Sequence, residues 1–142
     1  MSSNGLQVFG PATALIRNDQ AWEGNVVEAP SMVVHDGRFF LFYSGNAWDS
    51  REYATGYAVC DTVRGPCTKP HDRPWLDTDS HISGPGGLSV FVGPAGESFC
   101  VYHAWLGNQI GYDHGGSRAL FVTQLTWNDG APIAPDETGS AG

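Results

Sequence analysis

A hairpin pattern occurs twice in this chain, and its two copies start 58 residues apart, at Ser31 and Ser89. The first copy reads Ser31-Met32-Val33-Val34, a turn His35-Asp36-Gly37, then Arg38-Phe39-Phe40-Leu41-Phe42-Tyr43. The second reads Ser89-Val90-Phe91-Val92, a turn Gly93-Pro94-Ala95-Gly96, then Glu97-Ser98-Phe99-Cys100-Val101-Tyr102. A proline element precedes each copy, Glu28-Ala29-Pro30 in one and Gly84-Pro85-Gly86 in the other. An Asp-Gly pair between two apolar runs is the strongest short-range hairpin signal. No segment carries a helical period with caps. Composition points the same way. The 142 residues include 19 Gly and 9 Pro, with 41% hydrophobic and 15% charged. That is too apolar for a disordered chain and too broken by turn formers for a helical one. No apolar run approaches the roughly 20 residues of a membrane span.

The strands around the repeat follow. Residues 8–16, broken by Gly10-Pro11, read as one entering strand. Residues 30–34 and 38–44 form the first hairpin, and residues 53–60 alternate as a third strand. Residues 65–75 hold three prolines, so they fit only an edge strand. The second copy continues with a strand over 118–126, a turn at Asp129-Gly130 and a strand over 131–134. The expected fold is therefore all-β: a partial β-propeller of about two four-stranded antiparallel blades plus an extra strand. A β-sandwich is the alternative. The length suits a single domain. Its expected division is an entering strand over 1–20, a first blade over 21–80, a second over 81–135 and a mobile tail over 136–142.

Cys60 and Cys67 flank a Gly65-Pro66 turn that can bring neighbouring strands together, so either a disulfide or unpaired core thiols fits. A disulfide would point to an exported parent protein. Cys100 sits in an apolar run and reads as a buried thiol. Met1-Ser2-Ser3-Asn4-Gly5 has no basic start and no apolar run, so no signal peptide is expected there. Fifteen acids oppose seven bases, Lys69 is the one lysine, and the net charge is -8. That balance argues against nucleic acid or an anionic membrane as partner.

Glu23-Gly24-Asn25-Val26-Val27-Glu28-Ala29-Pro30, followed by Asp36-Gly37-Arg38-Phe39-Phe40-Leu41-Phe42-Tyr43-Ser44-Gly45, resembles the general-acid segment of glycoside hydrolase family 43. The resemblance continues through Gly84-Pro85-Gly86-Gly87, Val101-Tyr102-His103-Ala104-Trp105, Ser117-Arg118-Ala119-Leu120, and Leu125-Thr126-Trp127-Asn128-Asp129-Gly130-Ala131-Pro132. It spans about residues 6–134 and corresponds to the C-terminal portion of the family's catalytic domain. Such enzymes are five-bladed propellers, including arabinanases, arabinofuranosidases and β-xylosidases, that hydrolyse arabinose- or xylose-containing glycans with inversion.

Inversion needs a carboxylic acid for the leaving oxygen and a carboxylate that activates water on the opposite face of the sugar. The resemblance places the acid at Glu28, while the family's two aspartates belong to motifs that have no counterpart here. It also places Arg118 in the substrate pocket. His103 is a further candidate substrate contact, although it lies in a strand of aromatics, where a hydrogen-bonded core histidine is the plainer reading. Trp22, Trp48 and Trp105 can offer sugar-stacking surfaces, because sugar C–H faces pack on aromatic rings. Trp75 and Trp127 read as packing residues. The family usually carries a histidine after Gly-Pro-Gly that contributes to a central ion or water site. Gly87 stands there instead, so no metal or other cofactor is expected. The expected ligand is a pentose-containing oligosaccharide or polysaccharide. Two blades leave uncovered apolar flanks, so a homodimer or higher homo-oligomer is expected. The other readings are a non-catalytic carbohydrate-binding module and a self-assembling half-propeller with no ligand.

Overall fold

The computed structural model of the chain describes residues 4–8 and 10–135. The fold is all-β, and the helical elements among these residues are two short 3-10 turns, Ala21–Glu23 and Tyr112–His114. Strands β1 (Val27–His35), β2 (Arg38–Gly45), β3 (Ala54–Cys60) and β4 (Cys67–Thr68) form a four-stranded antiparallel sheet in that order. Strands β5 (Ile82–Val92), β6 (Ser98–Leu106) and β7 (Arg118–Gln124) form a three-stranded antiparallel sheet. Strands β8 (Thr126–Asn128) and β9 (Ala131–Ile133) make a separate ribbon.

The two Asp-Gly turns do what their chemistry dictates. Asp36 and Gly37 take φ of 48° and 74°, and Asp129 and Gly130 take 49° and 73°. Two successive left-handed residues make the two-residue hairpin whose twist matches its strands. His35 pairs with Arg38 across the first turn, and Asn128 with Ala131 across the second.

Three details differ from the sequence expectation. The second sheet has three strands, not four, because the tight turn at Asp129-Gly130 folds β9 back onto β8 rather than onto β7. The described part of residues 8–16 joins no sheet. Gly10 has a φ of 78° and Pro11 has no N–H to donate, so a ladder cannot run through them. Phe9 lies outside the described residues, as does the tail over 136–142 that was expected to be mobile. The edge strand expected over 65–75 is only two residues long, because Pro66 and Pro70 bracket it without amide donors.

The core lies between the two sheets. Phe40, Phe42 and Tyr57 of the first sheet meet Leu88, Cys100, Tyr102 and Ala104 of the second, with Leu76, Ile82 and Leu125 filling the ends. Cys100 is fully buried, and burial pushes its thiol up to about 11. Inter-sheet hydrogen bonds fix the stacking at β5, whose register is irregular on both sides of Gly86. The freed amides of Gly87 and Val90 donate to the Ser44 and Ser31 hydroxyls at 2.8 and 3.0 Å. Cys60 and Cys67, facing each other on β3 and β4, are joined by a disulfide. The β8–β9 ribbon returns to the first sheet. There Trp127 stacks on His35 at 3.9 Å between ring centres, and Trp75 Nε1 donates to the Pro132 carbonyl at 2.9 Å. Trp75 and Trp127 are thus packing residues, as expected.

Candidate functional site

The site is built where the first sheet's irregular edge meets the second sheet. In β1 the register shifts between Glu28 and Ser31, and Ala29 holds a φ of 50°. Pro30 has no N–H for the ladder, and the resulting bulge turns the strand at Glu28. The Glu28 carboxylate is exposed to solvent, and its Oε1 accepts a 2.7 Å hydrogen bond from the Tyr53 hydroxyl. Tyr53 is 1% exposed, and burial pushes its phenol up to about 12, so it serves as a donor at any ordinary pH.

Tyr53 lies flat against the second sheet, stacked on His103 with rings 6.0 Å apart and 13° from parallel. Gly86, opposite His103 on β5, makes this possible, since a Cβ there would strike the Tyr53 ring. His103 in turn sits against Gly87, where a Cβ would meet the imidazole Nε2. The space that a side chain at position 87 would need is therefore held by His103.

Arg118, at the start of β7, reaches across to the same imidazole. Its Nε donates to His103 Nδ1 at 2.5 Å, and its Nη2 donates to the carbonyls of Gly84 at 2.7 Å and His103 at 3.3 Å. Arginine is always a donor, so Nδ1 is an acceptor and the His103 proton sits on Nε2. Burial, reinforced by the Arg118 charge and opposed by Glu28, lowers the His103 pKa below its usual 6.5. Arg118 Nη1 is buried and makes no hydrogen bond. The guanidinium also lies over the faces of Trp105 and Tyr53, at 5.1 and 5.5 Å.

Glu28, Trp48, Tyr53, His103, Tyr112, Arg118, Ala119 and Leu120 line one cleft of about 370 Å³. The structure thus brings together Glu28, His103, Arg118 and Trp48. Two other candidates go elsewhere. Trp105 is 0% exposed, packed beneath Trp48 and Tyr112, so its ring has no free face for a sugar. Trp22 lies over Gly45 and Gly56 against Tyr43, with Nε1 donating to Gln20 Oε1 at 2.7 Å, away from the cleft lining.

Sequence reasoning missed two residues. Nothing local marks Tyr53, which reads simply as the first residue of an alternating strand. Tyr112 did leave a sign: an aromatic residue between Gly111 and Gly115-Gly116 is a ring presented on a glycine-rich loop.

A larger groove of about 540 Å³ runs between residues 14–20 and β4, but its lysine, Lys69, is already fully engaged. The three donors of Lys69 Nζ go to Glu23 Oε1, Asp19 Oδ1 and the Arg17 carbonyl, each at 2.6 Å. Glu23 is fully buried there and also accepts from the Tyr43 hydroxyl and the amides of Asp19 and Gln20. This is a satisfied structural cluster rather than a free charge.

The cleft does not fit a metal ion. Among the described residues no three His, Cys, Asp or Glu side chains come together as a ligand set, Gly87 brings no side-chain donor, and His103 Nδ1 is taken by Arg118.

Comparison with known proteins gives the chain's family. The family model for glycosyl hydrolases family 43 matches residues 1–132. The crystal structure of a thermostable family-43 glycoside hydrolase is 33% identical, with a TM-score of 0.80 over 96% of this chain and 45% of that one. The α-L-arabinofuranosidase of Lactobacillus brevis is 31% identical, with a TM-score of 0.72 over 84% of this chain and 41% of its own. The curated β-D-galactofuranosidase xynD of Aspergillus niger is 25% identical over 109 residues, which is 77% of this chain and 31% of that protein. The chain thus spans less than half the length of these relatives. With the motifs in order on stacked antiparallel sheets and the family model matching nearly end to end, the chain belongs to glycosyl hydrolases family 43.

Proposed function

We propose that this chain supplies the general-acid side of an inverting glycoside hydrolase acting on arabinose- or xylose-containing glycans. Residues 21–80 and 81–135 act as two consecutive blades of a partial propeller. One observation carries the reading: Glu28 shares a cleft with Arg118, His103 and an exposed tryptophan, Trp48. In this scheme the carboxyl of Glu28 protonates the leaving glycosidic oxygen. The Tyr53 hydroxyl fixes one of its oxygens, so the other is positioned to carry the transferable proton. The Nε2–H of His103 supplies a donor for a sugar hydroxyl.

A second reading has its own support. Among the described residues Glu28 is the one carboxylate lining the cleft, whereas inversion needs a second, about 6.5–9.5 Å from the acid, to activate water. A chain with the acid and the sugar contacts but no base would bind a pentoside without turning it over. Two measurements separate the readings: calorimetric titration with arabino- and xylo-oligosaccharides, and turnover of aryl arabinosides and xylosides. Turnover that falls roughly 10²–10⁴-fold in Glu28→Gln is the expected result for the acid role. Binding without turnover assigns the chain to carbohydrate recognition. A cleft that binds neither glycan class overturns both readings.

A further inference from the structure

We propose that the Cys60–Cys67 disulfide is a redox-controlled latch on residues 11–20. Oxidised, it clamps this extended segment against the β4 edge of the first sheet. Reduction by a dithiol releases the segment while the two-sheet core stays folded.

Residues 11–20 join no sheet, so side chains do much of the work of holding them. The bonds that tie them to distant parts of the chain end on one short stretch, residues 64–71. Arg64 Nη2 donates to Thr13 Oγ1 at 3.4 Å, and Gln20 Nε2 donates to the His71 carbonyl at 2.6 Å. Between these two, Lys69 Nζ donates to the Arg17 carbonyl and to Asp19 Oδ1, both at 2.6 Å. Lys69 also acts indirectly. It pairs with Glu23 Oε1, and Glu23 Oε2 accepts the amides of Asp19 and Gln20 at 2.9 and 3.0 Å. Glu23 is fully buried, so moving Lys69 away leaves a buried carboxylate without its cation.

Lys69 is placed by β4, which it directly follows. That strand has two ladder pairs, Val59 with Thr68 and Cys60 with Cys67, and the second of these carries the disulfide. Pro66 and Pro70 withhold amide donors on either side. The disulfide is also within reach of a reductant. Cys67 is half-buried and lines the groove beside residues 14–20, whereas Cys60 is buried. A thiolate of the dithiol attacks the Cys67 sulfur, and the Cys60 sulfur leaves and takes up a proton. The second thiol of the reductant then closes its own disulfide and frees the Cys67 thiol. Both cysteines are reduced and the dithiol is oxidised. β4 then frays, Lys69 moves with it, and residues 11–20 lose their fastenings. The release ends before β1, because other bonds hold the chain from Trp22 onward. The amides of Val26 and Asn46 donate to the Glu23 carbonyl at 3.2 and 2.8 Å, and Asn46 Nδ2 donates to the Trp22 carbonyl at 3.2 Å.

Amide hydrogen exchange of the intact chain, with and without dithiothreitol, tests this. On reduction the amides of Asp19, Gln20 and Glu23 are expected to lose at least about tenfold more protection than those of β6. Lys69→Gln, with the disulfide intact, loses protection at Asp19 and Gln20 without reductant. Cys60→Ser/Cys67→Ser shows the reduced pattern from the start and does not respond to dithiothreitol. Amides of Asp19, Gln20 and Glu23 that stay protected in the reduced wild type overturn the inference. So does a loss of equal size in these amides and in β6, which is a general weakening and not a released segment. Unchanged protection in Lys69→Gln removes the route through Lys69 and with it the latch. If that variant does not fold, the wild-type comparison decides alone.

Discussion

His103 shows how one side chain can hold two sheets and a cleft in a single protonation state. Its Nδ1 accepts from Arg118, its ring carries Tyr53, and its Nε2 edge fills the space over Gly87. Burial first, then the neighbouring guanidinium, depress its pKa below 6.5, against the pull of Glu28. The unfolded chain therefore takes up this proton at higher pH than the folded protein does. Above pH 6.5 the imidazole is neutral in both states and its contribution to stability is constant. As the pH falls through the window from 6.5 down to the depressed folded value, the unfolded state binds more protons, and stability declines. Protonation of the folded form would also put two donors, Arg118 Nε and Nδ1–H, against each other. His103→Asn offers an amide oxygen as acceptor and removes the titration. Urea unfolding at steps from pH 7.5 to 5 should show wild type losing more stability over that range than His103→Asn. Parallel pH profiles for the two proteins would mean that Arg118 does not hold this imidazole neutral.

Among the elements, the short β4 depends most on a covalent link. Two residues of strand between two prolines cannot hold an edge by backbone hydrogen bonds alone, and the Cys60–Cys67 disulfide secures them to β3. Closing so short a loop removes about 2–3 kcal/mol of chain entropy from the unfolded state. Loss of that amount is expected in Cys60→Ala/Cys67→Ala, measured by urea unfolding against the oxidised wild type, with the same loss in wild type under reductant. Identical midpoints with and without reductant would show that the link adds nothing. The elements also show what was legible in the sequence. Both Asp-Gly hairpins, the aromatic strand β2 and the 58-residue repeat were visible, because turn chemistry and two-residue alternation are local. The three-stranded second sheet was not, because the β8–β9 hairpin leaves that sheet to dock Trp127 against His35 and Phe40 of the other one. Glu28, Arg118 and His103 were visible as motif residues. Tyr53 was not, because its place on Glu28 and His103 comes from two glycine contacts and a sheet-to-sheet stacking that no local pattern encodes. The burial of Trp105 and the place of Trp22 outside the cleft lining were not legible for the same reason: both are properties of the packed molecule.

The second sheet has two apolar faces, and among the described residues only the inner one is covered from within. Cys100, Tyr102 and Ala104 of β6 point into the core, so Phe99 and Val101 point the other way, alongside Phe91, Leu120 and Val122. On that outer face Phe91, Leu120 and Val122 are 45%, 75% and 61% exposed. Leu120 also lines the cleft, so the patch runs directly into the site, and whatever covers it becomes a cleft wall. Contiguous apolar surface of this kind marks an interface rather than a solvated face. The proposed occupant is a second copy of this chain. The chain spans 45% and 41% of two solved relatives, so two copies come close to the length of one such relative. The face is also the same on both copies, as a two-fold contact requires. Sedimentation equilibrium at tens of micromolar should therefore show a dimer. Val122→Glu, which puts a charge in the middle of the patch and away from the cleft lining, should shift it to monomer while the circular dichroism spectrum is retained. A wild type that is strictly monomeric at that concentration rules the second copy out and leaves the face to a sheet from another part of a longer protein. A dimer that survives Val122→Glu places the contact on a different face.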